Sequence, residues 1–310
     1  MNVFLSYIRE FVRTIHPGLL LFCCGFAALL IFFNYRYAIE PRIVNTVPNR
    51  YIRFLCFYLV YLVAFAVPYG AWFALRGKQT VEWGPLLAMV LVAPAIFALK
   101  VSFVGITQLI QEHTSGIWGR YAAIVANLPS KLLVVLPVLY LVWRMGNYDA
   151  PFFGFTTRNF SWSPYLVMLA IMVPLVTWAA TQPDFLNTYP KLRQVSFITG
   201  HTRSSWLYSL LFELAYGIDF ITIELFFRGF LVLAFVRFAG PDAILPMAVF
   251  YCSIHFGKPL AECISSFFGG ILLGIVVYKT RSIMGGLVVH LGIAWMMEVG
   301  GYLGNALKAK

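Results

Sequence analysis

The sequence predicts an all-α fold, a polytopic transmembrane bundle of about eight or nine helices, on three observations. Of its 310 residues, 61% are hydrophobic and 11% charged, whereas soluble domains average about 25% charged. Mean hydropathy is +0.80. The apolar residues gather in windows of about 20 residues, the length a helix needs to cross ~30 Å of hydrocarbon. Disorder is excluded, because it requires low hydrophobicity with high net charge.

Taken in chain order, residues 2–15 carry Arg9, Glu10 and Arg13 and read as an interfacial helix. A cleavable leader would need an apolar core after a short basic start and a small-residue cleavage site. Residues 17–35, 54–75 and 159–183 contain no charge, residues 84–110 only Lys100, and residues 121–143 are interrupted by Pro129 and Lys131. A polar connection, 184–203, leads to further apolar windows at 204–238, 241–256, 259–278 and 282–303. The expected organisation is an amino-terminal transmembrane region (1–203), a core (204–303) and a tail (304–310). The halves show no inverted pair of Gly/Pro-broken segments, which argues against a secondary transporter.

The net charge of +11 comes from 23 Lys and Arg against 12 Asp and Glu. Its bases (Arg36, Arg42, Arg50, Arg53, Arg76, Lys78) are scattered over connecting segments, where they face lipid headgroups; no nucleic-acid groove is expected. Lys279 and Arg281 lie at one end of the last helix and Lys308 and Lys310 at the other, so charge bias assigns no orientation. Cysteines 23, 24, 56, 252 and 263 occupy apolar stretches without a CxxC and read as small buried hydrophobes. Cys252 and Cys263 flank His255, which leaves a metal-ligand role open.

The ionisable groups within apolar windows concentrate at the carboxyl-terminal end: Glu213, Asp219, Glu224, Arg228, His255, Glu262, His290 and Glu298. Each charge near the bilayer centre costs ~2.5–3.5 kcal/mol on insertion scales, so these must pair or line a hydrated chamber. Glu224 and Arg228 form an i,i+4 pair in the favourable order. Glu213, near a helix start, reads as interfacial or structural. Glu262, Ser266, Gly270 and Gly274 make a stripe of the kind that lets helices approach closely. Glu262 is either a clamp at a helix start, after Pro259, or an active-site carboxylate. His255, beside the Gly257-Lys258-Pro259 break, reads as a hydrogen-bonded structural histidine. Glu298 lies some 12 Å along the axis from His290 by rise alone and is expected to have a structural partner.

Three motifs bear on function: Glu224-Leu-Phe-Phe-Arg228-Gly229, Tyr251-Cys-Ser-Ile-His255, and His290 with Ala294 one turn on. In this order, over residues 204–303, they resemble the type II CaaX prenyl endopeptidases and their bacteriocin-processing relatives, the CPBP family. The resemblance implies an intramembrane endopeptidase in which a carboxylate and a His activate water against a hydrophobic peptide or membrane-protein tail. Glu224, Arg228, His255 and His290 match its site residues. Two positions depart. Ile223 stands where the family has its first Glu, and Ala294 where it has Asn or Asp. The replacement carboxylates are Glu224 first and Glu262 second, with Asp219 also within reach. The cofactor expectation is at most a Zn²⁺, held by His255, His290 and a carboxylate such as Glu224. The departures also leave room for an inactive relative that acts as a membrane binding, immunity or scaffold protein. The expected partners are the lipid bilayer and a hydrophobic peptide or membrane-protein substrate, and the expected location is an integral, multi-pass position in a membrane.

Overall fold

A computed structural model describes residues 2–77, 82–146, 148, 151–158, 160 and 162–308; Lys78, Asn159 and the last two residues of the tail, Lys310 among them, lie outside the described residues. Every described element is helical. Helix α1 (Asn2–Thr14) is amphipathic: it buries Phe4 and Phe11 and exposes Leu5, Arg9, Val12 and Arg13. Helix α2 (Pro17–Tyr37) opens with Pro at its first turn, where the missing N–H removes nothing, and ends at Ala38, which has φ 51°. A π-helical turn (Ile39–Val44) leads to α3 (Arg50–Arg76), capped by the Asn49 side chain, which accepts from the N–H groups of Tyr51 and Ile52 at 2.9 and 3.2 Å.

Helices α4 (Trp83–Ser102), α5 (Gly105–His113) and α6 (Gly116–Gly146) follow. Pro129 and Lys131 do not break α6, which runs continuously past both; neighbouring helices commonly sustain proline inside a membrane span. Helix α7 (Trp162–Ala179) leads to the short α8 (Pro183–Thr188) and a 3₁₀ segment (Lys191–Ile198). Helix α9 (Ser205–Glu224) passes directly into a π-helix (Leu225–Ala234), and the short α10 (Val236–Ala239) precedes α11 (Ile244–Ser253). Two long helices, α12 (Leu260–Thr280) and α13 (Met284–Lys308), complete the bundle.

Among the described residues, seven helices are long and apolar enough to cross a membrane: α2, α3, α4 together with α5, α6, α7, α12 and α13. The chain is an integral, multi-pass membrane protein with an all-α fold. The other two apolar windows are interior only in part: α9 exposes Trp206, Leu210 and Leu214, whereas the π-helix and α11 are enclosed. The 204–238 window is split between α9 and the π-helix, and the 241–256 window shortens to α11, whose ten residues cannot span ~30 Å at 1.5 Å per residue. Every residue of the π-helix and of α11 is buried. Phe226, Phe227 and Phe250 interlock there with Tyr61, Phe65 and Phe97 of α3 and α4, with ring centroids 5–6 Å apart. Lipid-facing helices therefore wrap a dry aromatic centre, from whose edge the site residues project.

Candidate active site

Glu224 is the last residue of α9, and the π-helix after it carries Arg228; both side chains are fully buried. The expected i,i+4 ion pair is present, with Arg228 Nη1 3.2 Å from Glu224 Oε1. The guanidinium also lies over the Tyr251 ring, 4.0 Å from its centroid, a favourable cation–π placement. His290 Nδ1 stands 2.6 Å from the same Glu224 oxygen. A carboxylate accepts only, so Nδ1 carries the proton and Nε2 is left to accept from the Tyr251 hydroxyl at 2.5 Å. Close approach of α13 depends on Gly286, where a Cβ would collide with the Glu224 carboxylate.

Tyr251 joins the two imidazoles. Its hydroxyl meets His290, while its backbone carbonyl accepts from His255 Nδ1 at 2.8 Å. His255 Nε2 is thereby an acceptor, and no described residue bonds to it. The stripe on α12 serves this arrangement: a Cβ on Gly270 would lie 3.2 Å from the Tyr251 ring. His255 sits in a tight turn in which Lys258 N–H donates to the His255 carbonyl at 3.0 Å. Two α2 side chains pin that turn, Asn34 Nδ2 donating to the Phe256 carbonyl at 2.9 Å and Tyr35 OH to the Lys258 carbonyl at 2.6 Å.

Glu262 lies in the first turn of α12. Its two oxygens share the Tyr189 hydroxyl proton at 3.0 Å each, and Lys258 Nζ stands 3.4 Å away while donating to Tyr189 OH at 3.1 Å. Glu298 holds the segment that carries Tyr189, accepting from the backbone N–H groups of Lys191 and Leu192 at 2.7 and 3.0 Å. This is the structural partner expected for Glu298. Asp219 pairs with Lys100 at 2.9 Å. Cys252 and Cys263 are buried thiols with sulfurs 3.8 Å apart.

These groups border a cavity of about 620 Å³. His255, His290, Glu262, Arg228, Tyr251, Lys258, Tyr189, Ile223 and Ala294 all line it, between apolar walls that include Phe57, Phe97, Leu175 and Phe220. Of the five site residues expected from sequence, Arg228, His255, Glu262 and His290 share this cavity; Glu224 does not line it and backs His290 instead. Neither cysteine lines it. Sequence reasoning missed Tyr189, Lys258, Asn34 and Tyr35 as site residues, since their roles come from contacts with residues far away in the chain or from the geometry of a turn. Glu40, in the π-helical turn after α2, also reaches the cavity wall. Burial raises its carboxyl to about 7, against the opposing pull of Asn45 and Lys258.

The donor set does not fit a Zn²⁺. Both His290 nitrogens are engaged, Glu224 lies off the cavity, and among the described residues no three His, Cys, Asp or Glu side chains are grouped to hold a metal ion.

Residues 203–296 match the family described as type II CAAX prenyl endopeptidase Rce1-like. No curated protein and no solved structure matches the chain. The matched stretch holds all three motifs, whose residues meet at the cavity or directly behind it, and over this core the chain is similar to the Rce1-like type II CAAX prenyl endopeptidases.

Proposed function

We propose that this protein is an intramembrane endopeptidase that hydrolyses a hydrophobic peptide or membrane-protein tail in the cavity, with His255 and Glu262 doing the work that the motif assigns to position 223 and its His. The observation that carries this reading is that both imidazoles and Glu262 border one chamber, while Glu224 stands behind it.

His255 is oriented for the role of base. Its Nδ1–H is held on the Tyr251 carbonyl, which leaves Nε2 to accept. A water proton passes to Nε2 as the water oxygen bonds to the scissile carbonyl carbon, and the carbonyl electron pair moves onto its oxygen. Glu262 balances the imidazolium that forms. Collapse of the tetrahedral species breaks the C–N bond, and the proton on His255 passes to the departing amine. Arg228, Glu224 and His290 act through Tyr251 as positioning residues: the buried ion pair holds the imidazole, the imidazole holds the tyrosine hydroxyl, and the tyrosine carbonyl aims His255. The apolar walls suit hydrophobic side chains and keep bulk water away from the reacting bond.

The test is cleavage of a hydrophobic peptide library by the full chain in nanodiscs. Wild type is expected to cleave, with rates falling about 10²–10⁴-fold in His255→Ala and Glu262→Gln. Absence of product from every peptide overturns the reading. A second reading, an inactive relative that binds peptide without cutting it, is favoured by the apolar Ile223 and Ala294 on the cavity wall. It predicts peptide binding that His255→Ala leaves unchanged. If that reading is correct, Ile223→Glu creates cleavage where none existed.

A further inference from the structure

A hydrolytic site needs a donor where negative charge develops on the carbonyl oxygen, and this cavity lacks the obvious ones. Ala294 has no polar atom, and both His290 nitrogens are taken. Arg228 touches the cavity and its guanidinium nitrogens make no hydrogen bond, but its side chain is fully buried and its charge is already answered by Glu224, 3.2 Å away. The backbone break after His255 supplies another cation. We propose that Lys258 is the group that carries the negative oxygen in this site; the proposal rests on the hydrolytic reading above and adds a catalytic residue to it.

Three observations support it. First, Lys258 and His255 belong to the same hydrogen-bonded turn, which Asn34 and Tyr35 pin from α2. Base and cation are therefore presented to the cavity as one unit. Second, the ammonium has three N–H donors, and its contacts, Tyr189 OH at 3.1 Å and Glu262 at 3.4 Å, engage two. Third, its side chain is 31% exposed, whereas that of Arg228 is 0% exposed. The charges also fit the course of the reaction. At rest Lys258 and Glu262 neutralise one another. When a proton reaches His255 and negative charge reaches the carbonyl oxygen, Glu262 gains a cation to answer and Lys258 an anion, so both new charges find partners already in place.

The test measures binding rather than turnover. A hydrophobic peptide phosphonate, whose tetrahedral anion stands in for the intermediate, is titrated into the full chain in nanodiscs alongside the uncharged peptide amide of the same sequence. Wild type is expected to prefer the phosphonate by about 10²-fold or more. In Lys258→Met the preference falls to about twofold while affinity for the amide persists, and in Lys258→Arg most of it survives because the charge is kept. Should the Met variant fail to fold, Lys258→Gln takes its place. A wild type without preference, or a preference unchanged on removing the lysine charge, overturns the proposal. Phosphonate preference without cleavage of any peptide overturns the hydrolytic reading and leaves the anion site standing.

Discussion

The region before residue 204 and the region after it handle membrane burial in opposite ways. The first consists mostly of lipid-facing spans, and its long helices keep many large apolar side chains exposed: Leu21, Phe32, Leu59, Leu87, Leu133 and Leu166 are all outward. The second buries its π-helix and α11 completely and places a carboxylate, a guanidinium and an imidazole in contact there. Yet the cavity belongs to both. The amino-terminal region contributes Asn34, Tyr35, Glu40, Lys100 and Tyr189, which hold the turn, line the wall or anchor Glu262. We therefore propose that the boundary near residue 203 separates the motif-bearing chemistry from its mounting, and not two units that could function apart.

Removing one charge from each region tests that contrast most severely. Arg228→Ala strands a fully buried Glu224 beside His290, and breaking a buried pair in this way costs about 3–5 kcal/mol. Arg144→Met removes an exposed cation of α6 that makes no ion pair with a described residue, and a change within about 0.5 kcal/mol is expected. Thermal unfolding in one detergent compares the two. Equal losses would erase the distinction between a paired interior and a tolerant periphery.

Glu40 sharpens the comparison through pH. Its folded carboxyl titrates near 7 against an ordinary 4.5, so between those values the folded chain binds the extra proton. Stability is therefore highest below about pH 4.5 and falls as pH rises toward 7, by up to about 3 kcal/mol. Glu40→Gln is expected to flatten this slope between pH 5 and 8. A slope that persists in the variant would assign the titration elsewhere.

The smallest effects come from two glycines. Gly286→Ala drives a methyl group into the Glu224 carboxylate and should cost about 1–3 kcal/mol, as overpacking does. Gly25→Ala in α2 meets nothing within 4 Å, and a helix interior gains up to about 1 kcal/mol from such a change. Melting temperatures should move in opposite directions, and a common direction would show that glycine acts here through the backbone alone.

Much of this molecule was legible as text. Its spans follow from the length of uncharged windows, and the Glu224–Arg228 pair from a four-residue spacing, because both depend on local helical periodicity. His255 and His290 were marked as site residues by the resemblance of their motifs to the CPBP family, not by periodicity. The interior character of the π-helix and α11 was not legible, since an apolar window reads the same whether lipid or aromatic side chains surround it. Nor did spacing separate Glu224 from Glu262 as the carboxylate at the cavity. That depends on which face of α9 meets α13, and on how far Tyr189 reaches from a segment more than 70 residues before Glu262.

Sequence alone determined that this chain lives in a bilayer, that its ionisable groups must be enclosed, and which short motifs carry them. Tertiary structure decided that Tyr251 links the two histidines, that Glu224 stands behind the cavity while Glu262 borders it, and that Lys258 shares a pinned turn with His255. The physical reason is range. Hydropathy and helical spacing act over one or two turns, whereas hydrogen bonds between side chains far apart in sequence depend on how whole helices pack.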